Sequence, residues 1–221
     1  MKYLTASLFA LLMAAPYAHA AAPDQILIVG DSLSSAHRIP AQSGWVSLLE
    51  QRLATQTATP PAVVNASRGG KTLADALGEL PALLEAQHPD LVVLELGGND
   101  AILGGTAEAI RRDLTQLVAL SRKAGAQVVI LGFDIPPAFD KDGSALMLRG
   151  TYAQVAAELK VPLLPSLLAG VSDQPTLLLD DGIHPNADAQ ARVLDNAWPT
   201  LRPLLLDAAA QPAGVGQAAS P

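Results

Sequence analysis

A hydroxyl, an imidazole and a carboxylate in two short polar segments are the residues of this chain best suited to chemistry. Ser32 stands in Gly30-Asp31-Ser32-Leu33-Ser34, and Asp181 precedes His184 by three residues in Asp180-Asp181-Gly182-Ile183-His184-Pro185-Asn186. A hydroxyl becomes a nucleophile when a base lies within hydrogen-bond reach and a third group holds that base in one tautomer. Ser32 is the candidate nucleophile, His184 the base and Asp181 the group that orients it. Pro185 biases His184 toward extended backbone and suits the first position of a following helix. A tetrahedral oxyanion also needs donors aimed at it. The backbone N–H groups of Ser32 and Gly70 and the side-chain amide of Asn99 can supply them, glycine at 70 letting a substrate oxygen come close.

Each piece also has an ordinary explanation. A lone serine here is a turn or cap residue, and Gly69-Gly70 is common turn chemistry. Asn99 and Asp100 can cap a helix, and Asp-x-x-His can be a surface loop or half a metal site. A metal-dependent phosphoesterase would use Asp31, Asn99, Asp181 and His184 as ligands. Of His37, His88 and His184, however, only the last is in that set, which is poor for a two-metal site. Gly70-Lys71-Thr72 ends like a phosphate-binding loop, but Asn65 stands where that loop requires glycine. Gly-x-Ser-x-Gly fails at Ser34. A periplasmic protein that binds an acyl ligand without turnover has no need of Asp181 beside His184. His37 has no carboxylate neighbour in sequence and reads as a loop histidine. Arg68 and Lys71 beside Gly70 are either solvated charges or contacts for a phosphate or carboxylate on the substrate. Glu95, on a strand, must find donors or keep a proton; a structural hydrogen-bonding role is expected.

Position in the fold is what joins these pieces. Ile26–Val29, Ala62–Asn65, Leu91–Leu96, Gln127–Phe133 and Val161–Leu164 are short apolar runs of the kind that form strands covered on both faces. Between them Trp45–Thr55, Leu73–Gln87, Thr106–Ala124 and Ala145–Leu159 have helical spacing, and a last helix is expected from Pro185 to Leu206, bent near Pro199. The alternation predicts one α/β domain with a parallel sheet and right-handed crossovers. In such a sheet ligands bind beyond the carboxyl ends of the strands. Ser32, Gly70 and Asn99 all follow strands, so the topology gathers them at one edge.

Composition narrows the remaining classes. The chain has 221 residues, is 50% hydrophobic and 16% charged, and contains no cysteine. That supports one folded domain and removes thiol nucleophiles and Cys-ligated metals. A formal charge of −7 argues against nucleic acid as a partner. Lys2, the apolar run from Leu4 to Pro16 and Ala18-His19-Ala20 predict a signal peptide over residues 1–20, cleaved after Ala20. The apolar run is shorter than the roughly 20 residues of a membrane span. An exported domain over residues 21–206 is expected, with residues 207–221 as a frayed tail.

Gly30-Asp31-Ser32-Leu33-Ser34, Gly70, Gly98-Asn99-Asp100 and Asp181-x-x-His184 resemble the ordered blocks of the SGNH (GDSL) hydrolase superfamily. Asn65-Ala66-Ser67, Glu95–Asp100, Val161–Pro165 and Asp180–Asn186 are similar to its periplasmic acyl-CoA thioesterase/lysophospholipase/arylesterase subgroup. The resemblance implies a three-layer flavodoxin-like domain with about five parallel strands and helices on both faces. It implies an acyl-Ser32 intermediate, His184 as base, Asp181 as orienter and an oxyanion hole from Ser32, Gly70 and Asn99. No metal or cofactor is implied, and the substrate is a small acyl ester or thioester. Ile102, Leu103, Ile135 and Pro136, which follow two neighbouring strands, are expected to line an acyl groove. The segment Ala101–Thr106 and the charges at 68 and 71 depart from the subgroup and bear on substrate choice.

Overall fold

The apolar runs pair into one parallel sheet in a computed structural model of the protein, which describes residues 22–136, 139–140 and 142–206. The expected leader and tail lie outside the described residues. Strands β1 (Gln25–Gly30), β2 (Ala62–Asn65), β3 (Leu91–Glu95), β4 (Gln127–Leu131) and β5 (Leu163–Leu164) are ordered β2-β1-β3-β4-β5. Register runs from Ile26 opposite Leu91 to Gly30 opposite Glu95, so β1 and β3 end level. This is the flavodoxin-like order, in which the chain reverses direction across the sheet between β1 and β3 and leaves a crevice beyond their carboxyl ends.

Helices cover both faces of the central strands. α1 (Trp45–Gln56) packs on α6 (Gln190–Leu205), while α4 (Ala107–Lys123) packs on both α2 (Leu73–Gln87) and α5 (Ser144–Leu159). Ile26–Val29 and Leu91–Leu94 are buried completely or nearly so, as strands covered on both sides must be. α4 shows how sequence sets an element. Thr106 accepts a bond from the Ala109 N–H, Glu108 lies in the positive first turn and Arg122 and Lys123 in the last. Ile110, Leu114, Leu117 and Val118 form its buried stripe. α2 begins with a capping box between Thr72 and Asp75.

The structure departs from the sequence expectations at two loops beside the crevice. β3 stops at Glu95, and Gly97, at φ 111°, turns the chain into a short unforeseen helix, α3 (Gly98–Ile102). Pro185 is not the first residue of the last helix. It is buried in a β-bridge to Leu178, and α6 is entered through a 3₁₀ turn, Ala187–Ala189, capped by the Asn186 side chain. The Leu179 N–H to His184 O bond (2.8 Å) and the Asn186 N–H to Leu177 O bond (2.9 Å) make that segment a small hairpin. No helix among the described residues is long and apolar enough to cross a membrane.

Leu27 is wholly buried in β1, and truncating it leaves a cavity that close-packed neighbours fill only in part. Leu27→Ala is expected to cost about 2–5 kcal/mol of unfolding free energy, read from urea titration with the slope unchanged.

Candidate active site

Ser32 sits in a turn that β1 enters through a glycine. A Cβ at Gly30 would lie 2.8 Å from Ser34 and from Ser67 Oγ, closer than packed atoms allow, so the residue entering this turn must be glycine. The turn is pinned by hydrogen bonds from three directions. The Leu33 N–H donates to Asp31 Oδ1 (3.0 Å), the Ser35 N–H to Asp31 O (3.1 Å), and Asn65 Nδ2, at the end of β2, to Ser34 O (2.8 Å).

The hairpin that follows the 3₁₀ turn Pro175–Leu177 carries the imidazole. Asp181 Oδ1 accepts the Ile183 and His184 N–H groups, both at 3.0 Å, which folds the segment around the carboxylate. Asp181 Oδ2 lies 2.9 Å from His184 Nδ1, and His184 Nε2 lies 2.9 Å from Ser32 Oγ. Partial burial alone would raise the Asp181 carboxyl. The two backbone N–H bonds and the imidazole outweigh it and hold the group at about 2. Because an ionised Asp181 only accepts, His184 carries its proton on Nδ1, and Nε2 faces the hydroxyl with a lone pair. A hydroxyl, an imidazole and a carboxylate thus stand in line, an arrangement that can serve acyl transfer from a serine.

Asn99, in the first turn of α3, donates Nδ2 to Asp31 Oδ2 (3.0 Å) and to the Lys71 carbonyl (3.1 Å). It therefore ties the ends of β1 and β3 to the loop after β2. Gly70, in that loop, is exposed at φ 71°, backbone that glycine adopts without strain. Asp100 does not cap its own helix. Its carboxylate accepts the Leu73 N–H at the start of α2 (3.0 and 3.2 Å). Lys71 is not a substrate contact in waiting: its side chain is 1% exposed, and Nζ bonds Ala66 O (2.6 Å) and Glu79 (2.7 Å). Arg68 pairs with Glu79 (3.2 Å) and Asp75 (3.7 Å). The acids of α2 thus neutralise the loop's two cations.

A cavity of about 150 Å³ opens beside Ser32 and His184, walled by Leu33, Ile102, Phe133 and Ile183. Gly98 makes room for the wall, since a Cβ there would lie 2.7 Å from the Phe133 ring. Ile102 also borders a cleft of about 450 Å³ that runs on to Phe139 and Met147. Of the other residues expected to line a groove, Leu103 is 76% exposed and lines neither space. Ile135 and Pro136 are buried and line neither space, because the chain turns inward after Phe133.

Sequence reasoning set aside His37, yet its ring stacks on His184 with centroids 4.2 Å apart and planes at 34°. Burial, then the adjacent His184, push its pKa down. Ala36 and Arg38 flank it with positive φ, 57° and 56°, and Arg38 bridges to Asp180 (2.7 Å) and Asp181 (3.5 Å). The signal available was proximity: five residues past Ser32, a histidine cannot leave the same loop. His37, Asp181 and His184 could offer a metal ligand atoms within 4.8 Å of one another. Two of the three are already engaged, Asp181 with His184 Nδ1 and His184 Nε2 with Ser32 Oγ. The Asp31, Asn99, Asp181 and His184 set is likewise spent on internal bonds.

Fold and site together are those of an acyl hydrolase built on a parallel sheet. Residues 28–192 match the GDSL-like Lipase/Acylhydrolase family, and the chain belongs to that family of enzymes acting on ester bonds. It is similar to Esterase TesA of Pseudomonas aeruginosa, 43% identical over 185 residues that cover 84% of this chain and 91% of that one. It is similar to Thioesterase 1/protease 1/lysophospholipase L1 of Escherichia coli, 37% identical over 186 residues covering 84% and 87%. A crystal structure of TesA superposes with a TM-score of 0.78 at 42% identity, covering 82% of this chain and 99% of that one.

Beneath the turn, Asp31 and Glu95 are buried side by side. Burial pushes Asp31 up to about 6 and Glu95 well above its ordinary value. Between about pH 4, where such carboxyls titrate in an unfolded chain, and about 6, the native state holds protons that the unfolded state has released. The stability this pair contributes therefore falls as pH rises through that window. Asp31→Asn removes the Asp31 share of this titration, so its Tm relative to wild type is expected to climb between pH 4 and pH 7 in thermal melts.

Proposed function

We propose that the protein is an exported serine esterase that hydrolyses carboxylic esters and thioesters through an acyl-Ser32 intermediate. The observation that carries this reading is the unbroken line from Ser32 Oγ to His184 to Asp181, with 2.9 Å at each contact. Ser32 Oγ attacks the substrate carbonyl carbon while His184 Nε2 takes its proton. The tetrahedral oxyanion is met by the N–H groups of Ser32 and Gly70 and by Asn99 Nδ2, whose second acceptor, the Lys71 carbonyl, is the one to be replaced. His184 returns the proton to the departing alkoxide or thiolate as the carbon–oxygen or carbon–sulfur bond breaks. Water then repeats the sequence on the acyl-serine, freeing the acid and restoring the hydroxyl.

The acyl chain lies along the apolar wall at Ile102, with Leu33, Phe133 and Ile183 near the ester carbon and Phe139 and Met147 farther out. Small acyl esters and thioesters are the partners this site accepts. Residues 1–20 act as an export signal, so the mature enzyme starts at Ala21 and works in the periplasm or beyond it.

Ser32→Ala is expected to abolish turnover of p-nitrophenyl esters while the unfolding transition stays put. Asn99→Ala is expected to lower kcat by about 10²–10³ with little change in KM. An active Ser32→Ala enzyme would overturn the nucleophile assignment. The apolar wall has its own test. Each methylene moved from water to an apolar surface is worth about 0.8 kcal/mol, so the loss in kcat/KM for Ile102→Asn is expected to grow with acyl length across a C2–C12 ester series. An equal loss at every length would remove Ile102 from the groove.

A further inference from the structure

Glu95 closes β3 opposite Gly30, the last residue of β1, and Asp31 follows that glycine; Glu95 and Asp31 are 1% and 5% exposed. The bonds they make are unequal. Asp31 accepts on both oxygens, Leu33 N–H at Oδ1 (3.0 Å) and Asn99 Nδ2 at Oδ2 (3.0 Å). Glu95 Oε2 takes the Ser34 hydroxyl (2.8 Å) and a long bond from the Asp31 N–H (3.4 Å). The Asp31 N–H bond to Glu95 Oε2 sets the two carboxyl groups beside each other in the same buried space. Two adjacent buried acids with no cation between them cannot both stay ionised, so one keeps a proton, and Asp31 already receives bonds on both oxygens. Lys71 offers this pair no cation, since it is spent on Glu79 and Ala66.

We propose that Glu95 is a positioning residue, protonated at neutral pH, whose O–H donates to Asp31 and holds that carboxylate as the acceptor that aims Asn99 and the Ser32 turn. The other groups facing the pair favour the same proton placement. Tyr152 sends its hydroxyl to Leu96 O (2.8 Å) rather than to either acid. Asp100 is taken up with the Leu73 N–H. Asp31, which accepts a bond on each oxygen from Leu33 N–H and Asn99 Nδ2, is the better-solvated of the two and carries the pair's single negative charge. Burial and the repulsion between the two acids push Glu95 up, in line with the bonding pattern. Asn99 thus receives a charged acceptor on one N–H, leaving the other for Lys71 O in the resting site. The inference rests on the proposed role of Asn99, and its test is built to separate the two.

Infrared difference spectra of wild type against Glu95→Gln at pH 7 are expected to show the carbonyl stretch of a buried carboxylic acid in wild type alone. Absence of that band would mean an ionised Glu95 and would overturn the proposal. In kinetics, Glu95→Met keeps the volume and loses the donor. It is expected to lower kcat by about 10–100-fold, part of the loss seen when an oxyanion donor is removed, with KM little changed. Glu95→Gln restores an N–H toward Asp31 and is expected to recover most of that loss. If Gln and Met were equally impaired, or both lost kcat and KM together with a lowered Tm, Glu95 would be a packing residue and the proposal would fall. An unimpaired Asn99→Ala enzyme with the infrared band intact would instead strike the Asn99 assignment alone.

Discussion

The contact between Ser32 and His184 joins positions 152 residues apart, and almost every other feature near it makes that distance reproducible. A hydrogen bond tolerates a few tenths of an ångström, so both partners must be held by backbone rather than by chance rotamers. On one side the strand β1 ends at a glycine pressed between Ser34 and Ser67, and the turn beyond it is tied to β2 through Asn65. On the other, a single carboxylate, Asp181, gathers two N–H groups and the imidazole of its own hairpin. The sheet supplies the rigid reference between them. Parallel register brings β1 and β3 to an end at the same level, so loops from distant parts of the sequence meet above one edge.

That geometry is maintained at a cost in stability. Asp31, Ser34, Glu95 and Lys71 are all buried within or just below the site, where an apolar core would be easier to stabilise. Each is answered in its own way. Lys71 reaches a half-exposed Glu79 and a carbonyl, while the two acids answer one another through a proton. A buried polar network of this kind is worth keeping only if every member is satisfied, since a lone unpaired charge would be strongly destabilising. The direction of the Asp31 and Glu95 shifts, both upward, marks the place where the fold accepts strain in exchange for an oriented amide.

Much of this was legible in the sequence, and what was not has physical reasons. The five apolar runs gave five strands, because continuous β-branched segments have no other stable use in a chain of this size. Ser32, Asp181 and His184, which the structure brings into hydrogen-bond contact, could be picked out from residue type and loop position, with Gly70 and Asn99 as candidate donors. Local competition hid the rest. Gly97 at positive φ stops β3 early and starts α3, and Asn186 rather than Pro185 caps the final turn, because a bridge to Leu178 holds the proline elsewhere. Lys71 beside Gly70 read as a loop charge, and no periodicity could show that its stem runs inward to meet Glu79 eight residues on. The groove wall went to Phe133 and Ile183 instead of Ile135 and Pro136 because direction after a strand end depends on turns that apolar patterning does not encode.

The distribution of constraint separates reaction from selectivity. The hydroxyl, imidazole, carboxylate and amide each have at least one buried or doubly bonded support, so few substitutions nearby leave them in place. Ile102 and Leu103 are different: they are 43% and 76% exposed on a segment with two consecutive glycines, Gly104 at positive φ, and little but their own side chains depends on them. A change there moves apolar surface without touching the hydrogen bonds beneath Ser32. His37 occupies the middle ground, since it packs against the imidazole yet reaches the rim. Substitutions at Ile102 and Leu103 can therefore change the apolar surface near Ser32 while the hydrogen bonds under the sheet edge stay in place, because those bonds are made by Asn99 in the first turn of α3.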